Sequence, residues 1–142
     1  MQLLLSQHGE TAVSVLDLRT EANRLPGVAY YEGDITRQED VAAALRGSGA
    51  QVVINTVSPV TGLGNARVYT HVNVGGTHTL LDAAARARVP VFIYTSSAGV
   101  VTDNVHDLVN ASETSAPVVP DNPDAYSNSK VKYPPPPSPN PN

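Results

Sequence analysis

Tyr126 and Lys130 stand four residues apart in the run Tyr126-Ser127-Asn128-Ser129-Lys130, and Ser97 precedes the tyrosine by 29 residues. On a helix that spacing puts both side chains on one face. An ammonium beside a phenol favours the phenolate, so such a tyrosine can exchange a proton with a substrate hydroxyl or carbonyl. A serine hydroxyl can then hold the same oxygen. The pair alone has a plain structural explanation as well, because tyrosine and lysine stand four apart on many solvated helices. Its setting is what singles it out: it follows an alternation of strand-like and helix-like segments, and Ser97 closes the hydroxyl run Thr95-Ser96-Ser97 after an apolar stretch.

Those segments must place the three residues together. Strands are expected at Ala12 to Leu18, Val28 to Tyr31, Gln51 to Val57 and Pro90 to Thr95. Gln2 to His8 reads as the end of a helix stopped by Gly9. A second helix should open on a capping box, Thr36-Arg37-Gln38-Glu39, bury Val41, Ala44 and Leu45, and stop at Gly47. The β-branched run at 51–57 suits a strand covered on both faces. A longer helix, from about Ala66 to Ala87, collects Val68, Val72, Thr79, Leu80, Ala83 and Ala87 near one side, with Gly75 and Gly76 allowing close packing. Residues 96–123 read as loop with at most a short turn, and Asp124 caps a last helix that the prolines from Pro134 onward end. Strands alternating with helices make the fold class α/β, with a parallel sheet.

Length and composition narrow the function. The chain has 142 residues, about one domain, with nine basic and 13 acidic side chains and a net charge of −4. That balance offers no basic footprint and speaks against a nucleic-acid partner. The absence of cysteine excludes a disulfide framework, a thiolate metal site and a thiol nucleophile, and suits the cytoplasm. His8, His71, His78 and His106 share no metal-ligand spacing with carboxylates, so no metal is expected. No apolar run approaches the roughly 18–20 residues of a membrane-spanning helix.

Five stretches together resemble the extended short-chain dehydrogenase/reductase superfamily, most closely its 3β-hydroxysteroid dehydrogenase and sterol-4α-carboxylate 3-dehydrogenase branch. They are Val15-Leu16-Asp17-Leu18-Arg19, Gly33-Asp34-Ile35-Thr36, Val72-Asn73-Val74-Gly75-Gly76-Thr77, the run from Val91 to Val101, and Asp124 to Lys130. The resemblance implies Tyr126 as general acid/base, Lys130 as the ammonium that favours its phenolate and touches the nicotinamide ribose, and Ser97, rather than Ser96, as the hydroxyl that steadies the substrate oxygen. It also implies that Asp17 binds the adenosine ribose and that Asp34 and Ile35 contact the adenine. A carboxylate at Asp17 favours NAD over NADP, while Arg19 keeps NADP open. Asn73 matches an asparagine that supports the active site through hydrogen bonds, although a mid-helix asparagine can equally be exposed.

The implied activity is NAD-dependent oxidation of the 3β-hydroxyl of a sterol or steroid. A nucleotide-sugar epimerase or dehydratase with the same three catalytic residues is the alternative, and a noncatalytic nucleotide-binding protein a further one. Residues 1–132 then read as a partial Rossmann-type, doubly wound domain without its first strand, since a Gly-rich phosphate turn about 20 residues before Asp17 would precede Met1. The chain is accordingly expected to be an inactive piece of such an enzyme that folds marginally by itself. Residues 133–142 hold six of the 12 prolines and form a separate tail, expected to be solvent-exposed polyproline II and a candidate ligand for an SH3 or WW type domain. The resemblance leaves association of the parent enzyme with the endoplasmic reticulum open.

Overall fold

A computed structural model describes residues 12–62, 64–103, 105–112 and 118–132. The expected helix end at 2–8 and the proline tail lie outside these residues. The chain is α/β and divides into two compact units, one of Met1–Asn55 with His78–Ile93, the other of Thr56–Thr77 with Tyr94–Asn142.

In the first unit, β1 (Val13–Asp17) and β2 (Val28–Glu32) pair in parallel, Val13 opposite Val28 and Asp17 opposite Glu32. Helix α1 (Gln38–Ser48) lies against both strands and buries Val41, Ala44 and Leu45, the stripe that its sequence spacing dictates. Thr36 does not cap this helix, contrary to the capping-box expectation. The Asp34 carboxylate accepts from both the N–H and the hydroxyl of Thr36, each at 2.8 Å, and Asp40 rather than Glu39 reaches back, accepting from the Asp34 N–H at 3.0 Å. Arg37 therefore becomes the first flanking residue, without a side-chain cap.

Nor does Gly47 stop α1. The helix runs to Ser48 and closes on Gly49, whose left-handed φ of 59° lets its N–H reach the Leu45 carbonyl at 3.0 Å. Gly47 instead admits Tyr31, because an added Cβ would stand 2.7 Å from the tyrosine ring.

β3 (Val52–Asn55) and β4 (Val91–Tyr94) form a second two-stranded ladder, and among the described residues no strand joins it to the first. β3 is covered on one face only, contrary to the two-sided burial expected. Val52 and Ile54 are 48% and 51% exposed, and Val91 and Ile93 of β4 are 43% and 47% exposed. Val53, Asn55, Phe92 and Tyr94, at the alternate positions, are covered.

The expected helix at 66–87 is present but not uniform. It comprises α2 (Ala66–Tyr69), a π-helical segment (Thr70–Gly76) and α3 (Thr77–Arg86), which buries Leu80, Ala83 and Ala84. Two adjacent glycines hold a regular helix weakly, and the Thr77 hydroxyl donates to the Asn73 carbonyl at 2.6 Å within the widened turn. Gly75 is exposed, so close packing falls to the buried Gly76.

The interior of the second unit is mostly polar. Beside Tyr69 it buries Asn73, Thr77, Asn122, Ser127, Ser129 and Lys130, and such groups are stable inside only when hydrogen-bonded. α4 (Ala125–Val131) is the centre of this unit, packed against α2 and the π-helical segment and against a 3₁₀ turn (Ala98–Val101) that follows β4.

Candidate active site

α4 begins where its sequence says it should. The Asp124 carboxylate accepts from the Ser127 N–H at 2.8 Å and from the Ser127 hydroxyl at 2.7 Å, satisfying an otherwise orphaned donor of the first turn. The same two bonds, the side-chain one foremost, hold the Asp124 carboxyl below its ordinary value.

One turn apart on this helix, Tyr126 is half-buried and Lys130 only 5% exposed. The lysine Nζ donates to the Thr95 carbonyl at 3.1 Å and lies 5.0 Å from the Tyr94 ring centroid and 5.9 Å from that of Tyr126. Burial pushes the Lys130 ammonium down from its ordinary pKa. A carbonyl oxygen and the π-face of Tyr94 are the groups that offset this loss of water.

The backbone of α4 is braced from behind. Asn73, 1% exposed, donates through Nδ2 to the Ser129 hydroxyl at 2.9 Å, and that hydroxyl donates to the Tyr126 carbonyl at 2.6 Å. Of the two readings open for Asn73, the exposed one does not hold, since the side chain is buried and bonded to Ser129. Its Oδ1 is buried and accepts no hydrogen bond among the described residues. Tyr69 holds the Tyr126 ring edge-to-face at 5.8 Å while its own hydroxyl donates to the Val60 carbonyl.

Ser97 lies at the start of the 3₁₀ turn, where its Oγ accepts from the Gly99 N–H at 3.1 Å. A hydroxyl that accepts in this way still has its own proton to donate. The turn can approach α4 only because residue 99 has no side chain: a Cβ there would stand 2.4 Å from the Ser127 hydroxyl. Ser97, Tyr126 and Lys130 thus belong to elements that pack on one another in the second unit. Ser96 is exposed.

Asp17, Asp34 and Ile35 belong to the first unit, at the carboxyl ends of its paired strands. The Gly33 N–H donates to the Asp17 carbonyl at 2.9 Å, which ties the end of β1 to the turn carrying Asp34. The Asp17 side chain is exposed and accepts from the Arg19 N–H at 3.1 Å, whereas Ile35 is buried at 7% exposure. A carboxylate open to solvent at a strand end can accept two vicinal hydroxyls, as a nucleotide ribose would require. Gly62 and Gly64, both with positive φ, lie in the connection between β3 and α2, and among the described residues no group of three or more residues is able to hold a metal ion.

Sequence reasoning missed Asn122, Ser129 and Tyr94. Asn122-Pro123-Asp124 reads locally as a turn, and nothing in that signal shows that the asparagine is buried.

No helix among the described residues is long and apolar enough to cross a membrane. The model of the 3-beta hydroxysteroid dehydrogenase/isomerase family matches residues 1–132. The chain is 35% identical over 130 residues to a 3beta-hydroxysteroid-dehydrogenase/decarboxylase of Arabidopsis thaliana, covering 92% of this chain and 28% of that protein. It is 36% identical over 111 residues to the decarboxylating sterol-4-alpha-carboxylate 3-dehydrogenase of Candida albicans, covering 72% and 31%. It therefore spans less than a third of the length of these relatives. Among solved structures, a UDP-glucose 4-epimerase of Thermus thermophilus, in complex with NAD, shares the fold with a TM-score of 0.78 at 24% identity, over 92% of this chain and 42% of that one. With the match running through both strand ladders and the Tyr126–Lys130 helix, this chain belongs to the 3-beta hydroxysteroid dehydrogenase/isomerase family.

Proposed function

We propose that the protein acts as an NAD-dependent oxidoreductase on the 3β-hydroxyl of a sterol or steroid, and that this chain supplies its nucleotide-binding and proton-transfer residues. The observation that carries the reading is the buried Lys130 ammonium one helical turn from Tyr126, held by the Thr95 carbonyl in a unit whose 3₁₀ turn starts at Ser97. NAD, when bound, supplies the acceptor for the hydride that leaves the carbinol carbon.

The chain's own residues do the rest. The Ser97 hydroxyl donates to the substrate oxygen and fixes it beside the Tyr126 phenol oxygen. Tyr126 takes the hydroxyl proton as the carbonyl forms. The Lys130 charge stabilises the negative phenol oxygen before that transfer, and one of its three N–H groups is spent on Thr95, which leaves two for a ribose hydroxyl. Asp17 accepts the adenosine ribose hydroxyls and disfavours a 2′-phosphate, with Asp34 and Ile35 toward the adenine, while Arg19 leaves NADP as the lesser cofactor. The cytoplasm is the compartment of this reading, on the absence of cysteine.

A nucleotide-sugar epimerase or dehydratase would use the same three residues, and the NAD-bound epimerase structure supports the shared fold alone. Sequence identities of 35% and 36% to the sterol enzymes favour the sterol reading. Turnover of a 3β-hydroxysterol, and not of a UDP-sugar, by the full-length protein is the expected result. The reverse preference would replace the sterol reading.

A further inference from the structure

Asn122 is 2% exposed, yet it belongs to no helix or strand. Its Nδ2 donates both to the Gly99 carbonyl at 2.9 Å and to the Thr102 carbonyl at 2.7 Å. Its Oδ1 accepts from the Asp124 N–H at 3.0 Å, and its backbone carbonyl accepts from Asn128 Nδ2 at 3.2 Å. Both side-chain N–H donors therefore hold the 3₁₀ turn that Ser97 opens, while the acceptors hold the first turns of the helix that carries Tyr126 and Lys130.

The contact is also closely fitted. Gly99, whose carbonyl Asn122 holds, is the residue whose missing Cβ admits the Ser127 hydroxyl, and Ser127 is the group that Asp124 caps. The Val119 N–H donates to the Val100 carbonyl at 2.9 Å, so the strand of loop leading to Asn122 is itself fastened to the turn. Movement of Asn122 would let the turn and the helix shift independently.

We infer that Asn122 is a positioning residue that sets the Ser97 hydroxyl against the Tyr126 phenol by bridging the two elements that carry them. This rests on the roles proposed above for Ser97 and Tyr126. Displacing a reacting group by a fraction of an ångström lowers the rate of the chemical step, while the Asp17 carboxylate proposed for the adenosine ribose belongs to the other unit.

The test is a set of variants in the full-length protein with NAD and a 3β-hydroxysterol: Asn122→Ser, Ser97→Ala, the double variant, and Tyr126→Phe. Asn122→Ser should lower kcat about tenfold or more while the KM for NAD stays within about twofold. In the Ser97→Ala background the same substitution should cost less than about threefold, because the hydroxyl it positions is already gone. An equal loss in both backgrounds, or an unchanged kcat in Asn122→Ser, overturns the positioning role alone. Normal turnover in Tyr126→Phe overturns the functional reading and this inference with it. If Asn122→Ser does not fold, the side-chain amide protons of Asn122 in the unaltered protein decide the matter by NMR: exchange at least about tenfold slower than that of the exposed Asn23 supports the bridge, and equal exchange overturns it.

Discussion

A lysine at position 130 stays charged inside the protein only if other groups replace its water, and the Thr95 carbonyl at 3.1 Å and the Tyr94 ring at 5.0 Å are those groups. Because burial lowers the Lys130 pKa in the folded state, the unfolded chain binds more protons between that lowered value and the ordinary lysine value. Stability should therefore rise with pH through this window, and Lys130→Met should remove that rise, as urea unfolding at a series of alkaline pH values would show. The same variant should lose turnover by about a hundredfold or more, since the charge beside the phenol is gone. The Tyr126–Lys130 pair was legible in the sequence because helical spacing is a local property. The burial of Lys130 was not, since the residues that create it, Tyr94 and Thr95, lie more than thirty positions away and are brought in by tertiary packing alone.

At the scale of elements, α4 shows what local chemistry can and cannot announce. Asp124→Ala should destabilise the protein by about 1 kcal/mol, the usual worth of a side-chain N-cap, measured by denaturant unfolding at neutral pH. Since Ser127 holds the Asp124 carboxyl below its ordinary value, the cap's contribution is complete above the usual carboxylate range and is lost as pH falls through the lowered value. A loss of helix signal on acidification that is absent in Asp124→Ala would record this. Gly49→Ala should cost about 1 kcal/mol because φ is positive at that helix end, and Gly99→Ala about 1–3 kcal/mol because its Cβ meets Ser127. The α4 cap was legible because Asn122, two residues earlier, engages only the Asp124 N–H and leaves its carboxylate to accept from Ser127. At Thr36 the capping-box pattern misled, as Asp34 two residues earlier takes both donors of Thr36. The π-helical segment left no trace in the apolar spacing, which a π turn only offsets.

Across the whole molecule the α/β class was readable from the alternation of strands and helices, and every expected strand within the described residues is present. The coverage of those strands was not readable, because a β-branched run looks the same whether one face or two are buried. Val52, Ile54, Val91 and Ile93 share the open face of the second ladder, so replacing Val52 or Ile93 by threonine in this chain should change its unfolding free energy by no more than about 0.5 kcal/mol. Asp17 was legible as an acid near a strand end from the apolar residues before it, whereas Asp34 was reached only through the family resemblance and the buried setting of Ile35 appears only once α1 and the first ladder are in place. The candidate site residues fall into two groups, acids at the strand ends of the first unit and the Ser97, Tyr126 and Lys130 set in the second, in line with the two tasks proposed for them, holding a nucleotide and moving a proton. The most direct test is the rate of NADH formation from a 3β-hydroxysterol by the full-length protein and its Tyr126→Phe variant. The proposed chemistry predicts turnover that falls by about a hundredfold or more in the variant. Equal rates in the two proteins would contradict it.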